Sequence, residues 1–169
     1  EIIRLLNRID VPPQIKRINF NVIDDPLTPL LVEFMPDNDC KLHDDLVAAG
    51  IPGIVLAFHF DVDYPFDAPR VRVVYPRLKQ KTGRVTAGGS LCMNVIYTSG
   101  NWSPSLTLNS LIMSIISVIP YEGQGHNPSS SDSETVAYAG RLDDHDPKRT
   151  YTFQEYIQGY SFAKTMHKW

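Results

Sequence analysis

Apolar residues recur at helical spacing in some segments of the chain, whereas in others they alternate with polar residues or form short runs. Residues 1–9 carry apolar side chains at helical spacing, which predicts a short amphipathic N-terminal helix ended by two prolines. Apolar and polar residues then alternate over 17–22, a pattern typical of a half-buried strand. Apolar runs predict three further strands, at 30–35, 54–61 and 71–75.

The four predicted strands lie close enough in sequence to form an antiparallel meander, with helices before and after it, which is an α+β layout. Residues 37–52 are too many for a tight hairpin and predict an inserted loop, with or without a helical turn. This loop holds Cys40 and His43, whose spacing resembles half of a zinc site. No second Cys or His pair stands at ligand spacing, so we predict no metal site.

A central helix is predicted over 106–119, where the apolar spacing becomes helical. Its wide apolar face consists of Leu108, Leu111, Ile112, Ile115, Ile116 and Ile119. Small and weakly polar side chains recur on the other side as a stripe of Ser110, Met113, Ser114 and Ser117. The stripe is either a helix edge exposed to water or a docking face for a flat protein partner.

The remainder of the chain contains an irregular segment and a final helix. Residues 120–148 are rich in Gly, Ser, Asn, Asp and Pro without any period, which predicts an irregular segment. Residues 150–169 carry aromatic side chains that need a surface to bury against, and they predict a C-terminal helix.

Composition narrows the classes of protein. With 169 residues, 43% hydrophobic and 21% charged, residues 1–169 predict a single globular domain. Two cysteines favour a reducing compartment, so we expect the cytoplasm or the nucleus. The formal charge of −3 gives no basic footprint for nucleic acid, and no apolar run approaches the roughly 20 residues of a membrane span. The missing initial methionine predicts a fragment of a longer protein.

Cys92 is the candidate nucleophile. It follows two glycines and a serine in the run GGSLCM (88–93), where the backbone can turn tightly and hold a thiol at a surface. A structural cysteine usually lies inside an apolar periodic stretch instead. A free thiol is a few per cent thiolate at neutral pH, and this fraction is very nucleophilic without an adjacent base. The pattern therefore favours chemistry over packing, and we expect residues 120–148 to lie over this site.

Three runs together resemble the ubiquitin-conjugating enzymes, the E2 family: YPFDAPRV (64–71), GGSLCM (88–93) and WSPSLT (102–107). The likeness is strongest to the Q-type branch and covers about the whole chain. It implies the UBC fold and a carrier that receives ubiquitin, or a ubiquitin-like protein, from an activating enzyme (E1) as a thioester on Cys92. Transfer to a protein substrate would involve an E3 ligase. ATP would be used by the E1, so no cofactor is expected here.

The chain departs from the common E2 pattern before the nucleophile. Most E2s carry His-Pro-Asn there, with the asparagine thought to hold the loop or stabilise the oxyanion of the tetrahedral intermediate. Here the corresponding residues 82–84 read Thr-Gly-Arg, and Q-type enzymes also lack the motif. The groups that could replace the asparagine are Arg84, Asn94, Asn127 and the backbone N–H groups of Gly88 and Gly89.

The resemblance also implies roles for residues outside the nucleophile loop. An acid or base beyond the central helix would fall on or near His126, which is otherwise an ordinary loop histidine. The surface that E3 ligases read would be Phe66, Pro104 and Ser105, although Phe66 could instead pack in the core. The stripe of the central helix would face the donor ubiquitin.

Two other classes of function remain open. The chain could be a catalytically inactive E2 variant that binds ubiquitin as an interaction module. It could also be a cysteine hydrolase in which His126 or His59 activates Cys92. Such a dyad needs a third group to orient the base, and no recognised protease signature surrounds the cysteine.

Overall fold

The computed structural model describes residues 13–19, 29–80, 82, 84–91, 102–121, 124–126, 135–137 and 140–158. Four strands form an antiparallel sheet in sequence order: β1 (Ile15–Asn19), β2 (Leu30–Phe34), β3 (Ile54–His59) and β4 (Arg70–Tyr75). The sheet confirms the predicted meander. Strand β1 begins before the predicted alternation at 17–22, and residues 20–22 lie outside the described residues.

One face of this sheet is apolar because the strands pair in register. Val32 of β2 lies opposite Ile18 and Leu56, and Leu56 lies opposite Val73 of β4. Val32, Leu56 and Val73 are buried. Apolar side chains therefore form a row across the sheet, in which each cross-strand neighbour stabilises the next.

Half of segment 37–52 forms a helix where the sequence predicts a loop. Helix α1 (Lys41–Ala48) buries Leu42 and Leu46, which are one helical turn apart. Two buried leucines in a short segment are a weak periodic signal, and tertiary packing decides the conformation. The predicted loop is therefore wrong at residues 41–48, which form an eight-residue helix.

Cys40 precedes α1 and belongs to the hydrophobic core. Its side chain is 7% exposed, and its Sγ donates a hydrogen bond to the carbonyl of Asp37 at 3.3 Å. Burial raises the pKa of the Cys40 thiol. Cys40 is thus a packing residue, and no three His, Cys, Asp or Glu side chains cluster for a metal anywhere in the described ranges.

Helix α2 (Leu108–Val118) confirms the predicted central helix. It begins after Thr107, whose Oγ1 accepts a hydrogen bond from the Ser110 N–H at 3.2 Å and caps the helix. The six apolar residues predicted for its inner face are all buried in one core with the sheet. Each such side chain stabilises the fold by roughly 1.5–3 kcal/mol relative to exposure.

Helix α3 (Phe153–Gln158) is the described part of the predicted C-terminal helix. Thr152 and Glu155 form a capping box at its start. The Glu155 N–H donates to Thr152 Oγ1 at 3.1 Å, and the Thr152 N–H donates to Glu155 Oε2 at 2.8 Å. The predicted N-terminal helix at 1–9 and residues 159–169 lie outside the described residues. Within the described ranges, no helix is long and apolar enough to cross a membrane.

A small hairpin occupies part of the segment predicted to be irregular. Strand β5 (Gln124–His126) pairs with β6 (Thr135–Ala137) in an antiparallel register. Each strand has three residues, too few for an alternation to be recognised in the sequence. The prediction of irregular structure is therefore wrong at these six positions.

Candidate active site

The backbone before the candidate nucleophile follows the free edge of β4. Cys92 and Asn94 lie outside the described residues, so the site is built from the segment that leads to them. The Val73 N–H donates to the carbonyl of Gly89 at 2.8 Å, and the Leu91 N–H donates to the carbonyl of Val71 at 3.4 Å. Leu91 is also buried. The chain is therefore held in place up to the residue before Cys92.

Gly88 and Gly89 are required by close packing. A Cβ on Gly88 would lie 2.4 Å from the carbonyl oxygen of Glu155, and a Cβ on Gly89 would lie 2.7 Å from the carbonyl oxygen of Val73. Gly89 also has a φ of +87°, which favours glycine. The predicted tight turn is present, and both glycines are buried in it. Their main role is to admit neighbouring backbone.

The turn does not offer Gly89 as an oxyanion donor. The Gly89 N–H already donates to the carbonyl of Thr86 at 2.9 Å. A buried N–H that is bonded in this way is not available to an incoming oxyanion. The Gly89 N–H is therefore excluded as the donor. The remaining candidates are the Gly88 N–H, Arg84, Asn94 and Asn127, and both asparagines lie outside the described residues.

Arg84 has a left-handed backbone. Its φ is +56°, and the side chain is half-buried beside a turn in which the Val85 N–H donates to the carbonyl of Thr82 at 3.1 Å. This conformation costs a residue with a Cβ about 1–2 kcal/mol, and asparagine tolerates it better than most residues. The backbone at this position is thus better suited to asparagine than to arginine.

The first of the two histidines considered as bases lies in a strand. His126 ends strand β5, opposite Thr135, and its side chain lies outside the described residues. It is not in an irregular loop, and its catalytic role stays a prediction.

His59 is not suited to activate a thiol. Its Nε2 accepts a hydrogen bond from Arg72 Nε at 3.3 Å, and its ring stacks on Tyr156 with centroids 6.0 Å apart. Burial, with the positive charges of Arg72 and Arg70, lowers the pKa of His59 to about 4. A neutral imidazole has one acceptor nitrogen, and here Arg72 already uses it. The hydrolase alternative therefore gains no support from His59.

The predicted ligase surface lies on two adjoining loops. Trp102 Nε1 donates to the carbonyl of Pro65 at 2.7 Å, which holds the loop of Pro104 and Ser105 beside the turn of Phe66. Phe66 is 76% exposed, and Pro104 and Ser105 are also exposed. The alternative that Phe66 packs in the core is therefore wrong.

Val62 extends this exposed turn and was not predicted from the sequence. Its side chain is 93% exposed, between the exposed residues Asp61 and Asp63. An apolar residue between two aspartates in a turn has little chance of burial, and this signal could have identified it. Val62 and Phe66 are the two most exposed large apolar side chains in the described ranges.

The stripe of the central helix faces outward. Ser110, Ser114 and Ser117 are exposed, and Met113 is half-buried. The Ser114 hydroxyl donates to the carbonyl of Ser110 at 2.8 Å, and the Ser117 hydroxyl donates to the carbonyl of Ser114 at 2.9 Å. The helix itself therefore satisfies the hydroxyls of Ser114 and Ser117, which leaves a weakly polar surface. Both alternatives for the stripe require such exposure, so its role stays a prediction.

A family model described as ubiquitin-conjugating enzyme matches residues 54–150, more than half of the chain. The chain belongs to the ubiquitin-conjugating enzyme family. The matched range contains the exposed turn of Phe66, the Gly88–Gly89 turn, Cys92 and the central helix.

Two relatives support the Q-type branch of the family. Human ubiquitin-conjugating enzyme E2 Q1 is 41% identical over 83 residues, which is 47% of this chain and 19% of that protein. The ubiquitin-conjugating enzyme E2 Q-like protein CG4502 of Drosophila melanogaster is 34% identical over 89 residues, or 53% of this chain and 28% of that protein. The matches span less than a third of the length of these relatives.

A solved structure confirms the UBC fold. An E2 from Plasmodium falciparum superposes with a TM-score of 0.54 at 22% identity, and the match covers 70% of this chain and 94% of that one. At this identity the likeness concerns the fold alone. The predicted α+β class and the UBC architecture are both confirmed.

The left-handed backbone of Arg84 leads to a stability prediction for this E2-family domain. We expect Arg84→Asn to be more stable than Arg84→Ala by about 0.5–1 kcal/mol, because asparagine tolerates positive φ. Both variants remove the contacts of the arginine side chain, so their difference reports the backbone. Urea unfolding measures it, and an alanine variant as stable as the asparagine variant would contradict the assignment.

Proposed function

We propose that the protein is an E2 enzyme that carries ubiquitin, or a ubiquitin-like protein, as a thioester on Cys92. The single observation that supports this most strongly is the position of Cys92 inside the matched family region, directly after the buried Leu91. A cysteine that follows a backbone segment fixed to β4 can be presented repeatedly in one geometry. Positioning of this kind is the main requirement for acyl transfer between two proteins.

The proposed reaction has two acyl-transfer steps. In the first, the Cys92 thiolate attacks the carbonyl carbon of the E1 thioester, a new S–C bond forms and the E1 cysteine leaves as a thiolate. In the second, an amine or hydroxyl of the substrate attacks the Cys92 thioester, and the Cys92 thiolate leaves. The acceptor must lose a proton, which is difficult for a lysine in water. His126 is our proposed candidate to receive this proton.

Each step passes through a tetrahedral oxyanion that needs a hydrogen-bond donor. The candidates in our proposal are Arg84, Asn94, Asn127 and the Gly88 N–H. Loss of one such donor typically lowers the rate on the order of 100-fold to 1000-fold. Slower discharge in both Arg84→Asn and Arg84→Ala would support Arg84 as the donor. Faster discharge in Arg84→Asn alone would mean that asparagine restores a donor that this chain lacks.

The exposed side chain of Phe66 supports a role for its turn in ligase binding. Phe66, with Pro104 and Ser105 beside it, forms a compact surface of the type that dominates transient protein interfaces. We propose that E3 ligases bind here, that E1, ubiquitin and a protein substrate are the other partners, and that the protein acts in the cytoplasm or nucleus. ATP is consumed by the E1, so no cofactor is proposed for this chain.

A charging assay tests the proposal. The protein is mixed with E1, ubiquitin and ATP, and the products are separated on a gel without reducing agent. We expect an adduct that requires ATP and disappears on addition of a thiol. Ubiquitin binding without an adduct would instead support the inactive variant. Release of ubiquitin from a ubiquitin–peptide fusion would support the cysteine hydrolase.

We expect Ser117→Arg to leave charging intact but to slow discharge to free lysine by about tenfold, because the stripe is proposed to hold the donor ubiquitin. An arginine in the last turn of α2 interacts favourably with the helix dipole, so folding should not suffer. Single-turnover discharge of the purified thioester measures the effect.

The matched control adds the same side chain to another helix. Val47 is 59% exposed on α1, and Val47→Arg should discharge at the wild-type rate. Equal rates for Ser117→Arg and the wild type would reduce the stripe to an ordinary helix edge.

A further inference from the structure

Glu155 gathers hydrogen bonds from three other residues. Its carboxylate accepts from Arg77 Nη2, from Arg149 Nη2 at 3.3 Å, and from both the N–H and the hydroxyl of Thr152 at 2.8 and 3.0 Å. The side chain of Glu155 is 27% exposed, and that of Arg77 is 17% exposed. The Thr152 N–H, followed by Arg77, lowers the pKa of Glu155 to about 2. The carboxylate is therefore ionised at physiological pH.

A second link joins the same two chain segments. Arg77 lies just beyond the end of β4, and its guanidinium lies 4.7 Å from the centre of the Tyr151 ring. The Tyr151 hydroxyl accepts from the Leu78 N–H at 2.9 Å and donates to the Leu78 carbonyl at 3.2 Å. Residues 77–78 and 151–155 are thus joined by an ion pair, a cation–π contact and two hydrogen bonds.

The Gly88–Gly89 turn lies directly against these linked segments. A Cβ on Gly88 would meet the backbone of Glu155 at 2.4 Å, and a Cβ on Gly89 would meet Tyr151 Cγ at 2.9 Å. On its other side, Gly89 is bonded through its carbonyl to Val73 of β4. The turn is therefore enclosed between β4 and the start of α3. We name Arg77, Tyr151 and Glu155 the clamp.

We propose that Glu155 is a positioning residue for the thioester cysteine and acts by holding the clamp closed on the Gly88–Gly89 turn. This inference rests on the proposed carrier function of Cys92. We propose no direct contact between Glu155 and Cys92. A turn that moves more freely lets the thioester spend less time in the geometry that the acceptor needs. A displacement of about 1 Å can cost a transfer reaction about 100-fold in rate.

Hydrogen exchange tests the clamp without requiring activity. In Glu155→Gln we expect the amides of Gly89 and Leu91 to exchange at least several-fold faster than in the wild type, because the ion pair with Arg77 is lost. Glutamine retains an acceptor for the helix cap, so α3 should still form. The purified full chain is compared at a temperature where both proteins remain folded.

Asp45→Asn is the matched control. Asp45, on α1, accepts hydrogen bonds from Arg141 at 2.7 and 3.1 Å, and its side chain is 24% exposed, close to the value for Glu155. Asp45→Asn should leave the amide exchange rates of Gly89 and Leu91 unchanged, even if it lowers the free energy of unfolding. Unchanged exchange in Glu155→Gln, or equal acceleration in Asp45→Asn, would overturn the clamp.

Discharge of the charged protein supplies the catalytic readout. For Glu155→Gln we expect the maximal rate of discharge to free lysine to fall about tenfold, with the half-saturating lysine concentration unchanged. Arg77→Gln should lower the maximal discharge rate to a similar extent. The double variant of Arg77→Gln and Glu155→Gln should discharge no more slowly than either single variant. Wild-type discharge rates in Glu155→Gln would overturn the positioning role. A wild type that forms no thioester would refute the proposed function, while exchange would still decide whether the clamp holds the turn.

Discussion

Cys92→Ala should form no adduct with ubiquitin, and Cys92→Ser should form an adduct that resists thiols but is cleaved by hydroxylamine. The alanine side chain offers no nucleophile, whereas serine can be trapped as an oxyester that thiols attack slowly. Gels without reducing agent, run after incubation with E1, ubiquitin and ATP, distinguish the two variants from the wild type. This is the largest effect we expect from any single substitution, because charging is lost completely.

The second cysteine provides the control. Cys40 is buried in the core, so Cys40→Ala should lose about 1 kcal/mol of unfolding free energy and still charge normally. A folded Cys40→Ala protein that fails to charge would contradict the assignment of Cys92.

Gly88→Ala should destabilise the domain by about 3 kcal/mol and sharply reduce charging of Cys92. The added Cβ would lie 2.4 Å from the carbonyl oxygen of Glu155, a backbone atom that cannot rotate away as a side chain could. Either the turn or the start of α3 must therefore move. Urea unfolding measures the change in the free energy of unfolding. The charging assay reports whether the turn that leads to Cys92 is displaced.

Gly50→Ala separates this clash from the general effect of replacing a glycine. Gly50 has a φ of +64°, but no atom would lie within 4 Å of a Cβ added there. We expect a loss of only about 1 kcal/mol, from the left-handed backbone, and normal charging. Similar losses in Gly88→Ala and Gly50→Ala would mean that the close approach to Glu155 does not limit the fold.

The elements predicted well are those with strong local periodicity. Strands β2, β3 and β4 alternate or are continuously apolar, and the central helix has six apolar residues on one face. Helix α1 was missed because only Leu42 and Leu46 define its buried face. Strands β5 and β6 were missed because three residues cannot display a period.

The site could be predicted only in part, because its key contacts join residues that are far apart in sequence. The GGSLCM run identified Cys92 as the candidate, but no pattern indicated that Gly88 contacts Glu155, which lies far along the chain. The capping box of Thr152 and Glu155 was readable as T-x-x-E, yet its pairing with Arg77 was not. Local patterns predict a cap, whereas a tertiary contact requires the fold.

Phe66 illustrates a residue for which the sequence left two outcomes open. An aromatic ring after Tyr-Pro could equally be buried or exposed. In the structure Phe66 is exposed, and it is Trp102, bonded to the carbonyl of Pro65, that packs against the core beside this turn. Which aromatic residue near a turn packs against the core depends on tertiary contacts, and their spacing in the sequence does not show these contacts.

The burial of Cys40 makes the protein suitable for site-selective labelling. The chain has two cysteines, and the thiol of Cys40 is shielded by the core and has a raised pKa. Alkylation requires an accessible thiolate, so any thiol that reacts rapidly with a maleimide at neutral pH is Cys92. A fluorophore could then be attached at the candidate nucleophile without first removing another cysteine.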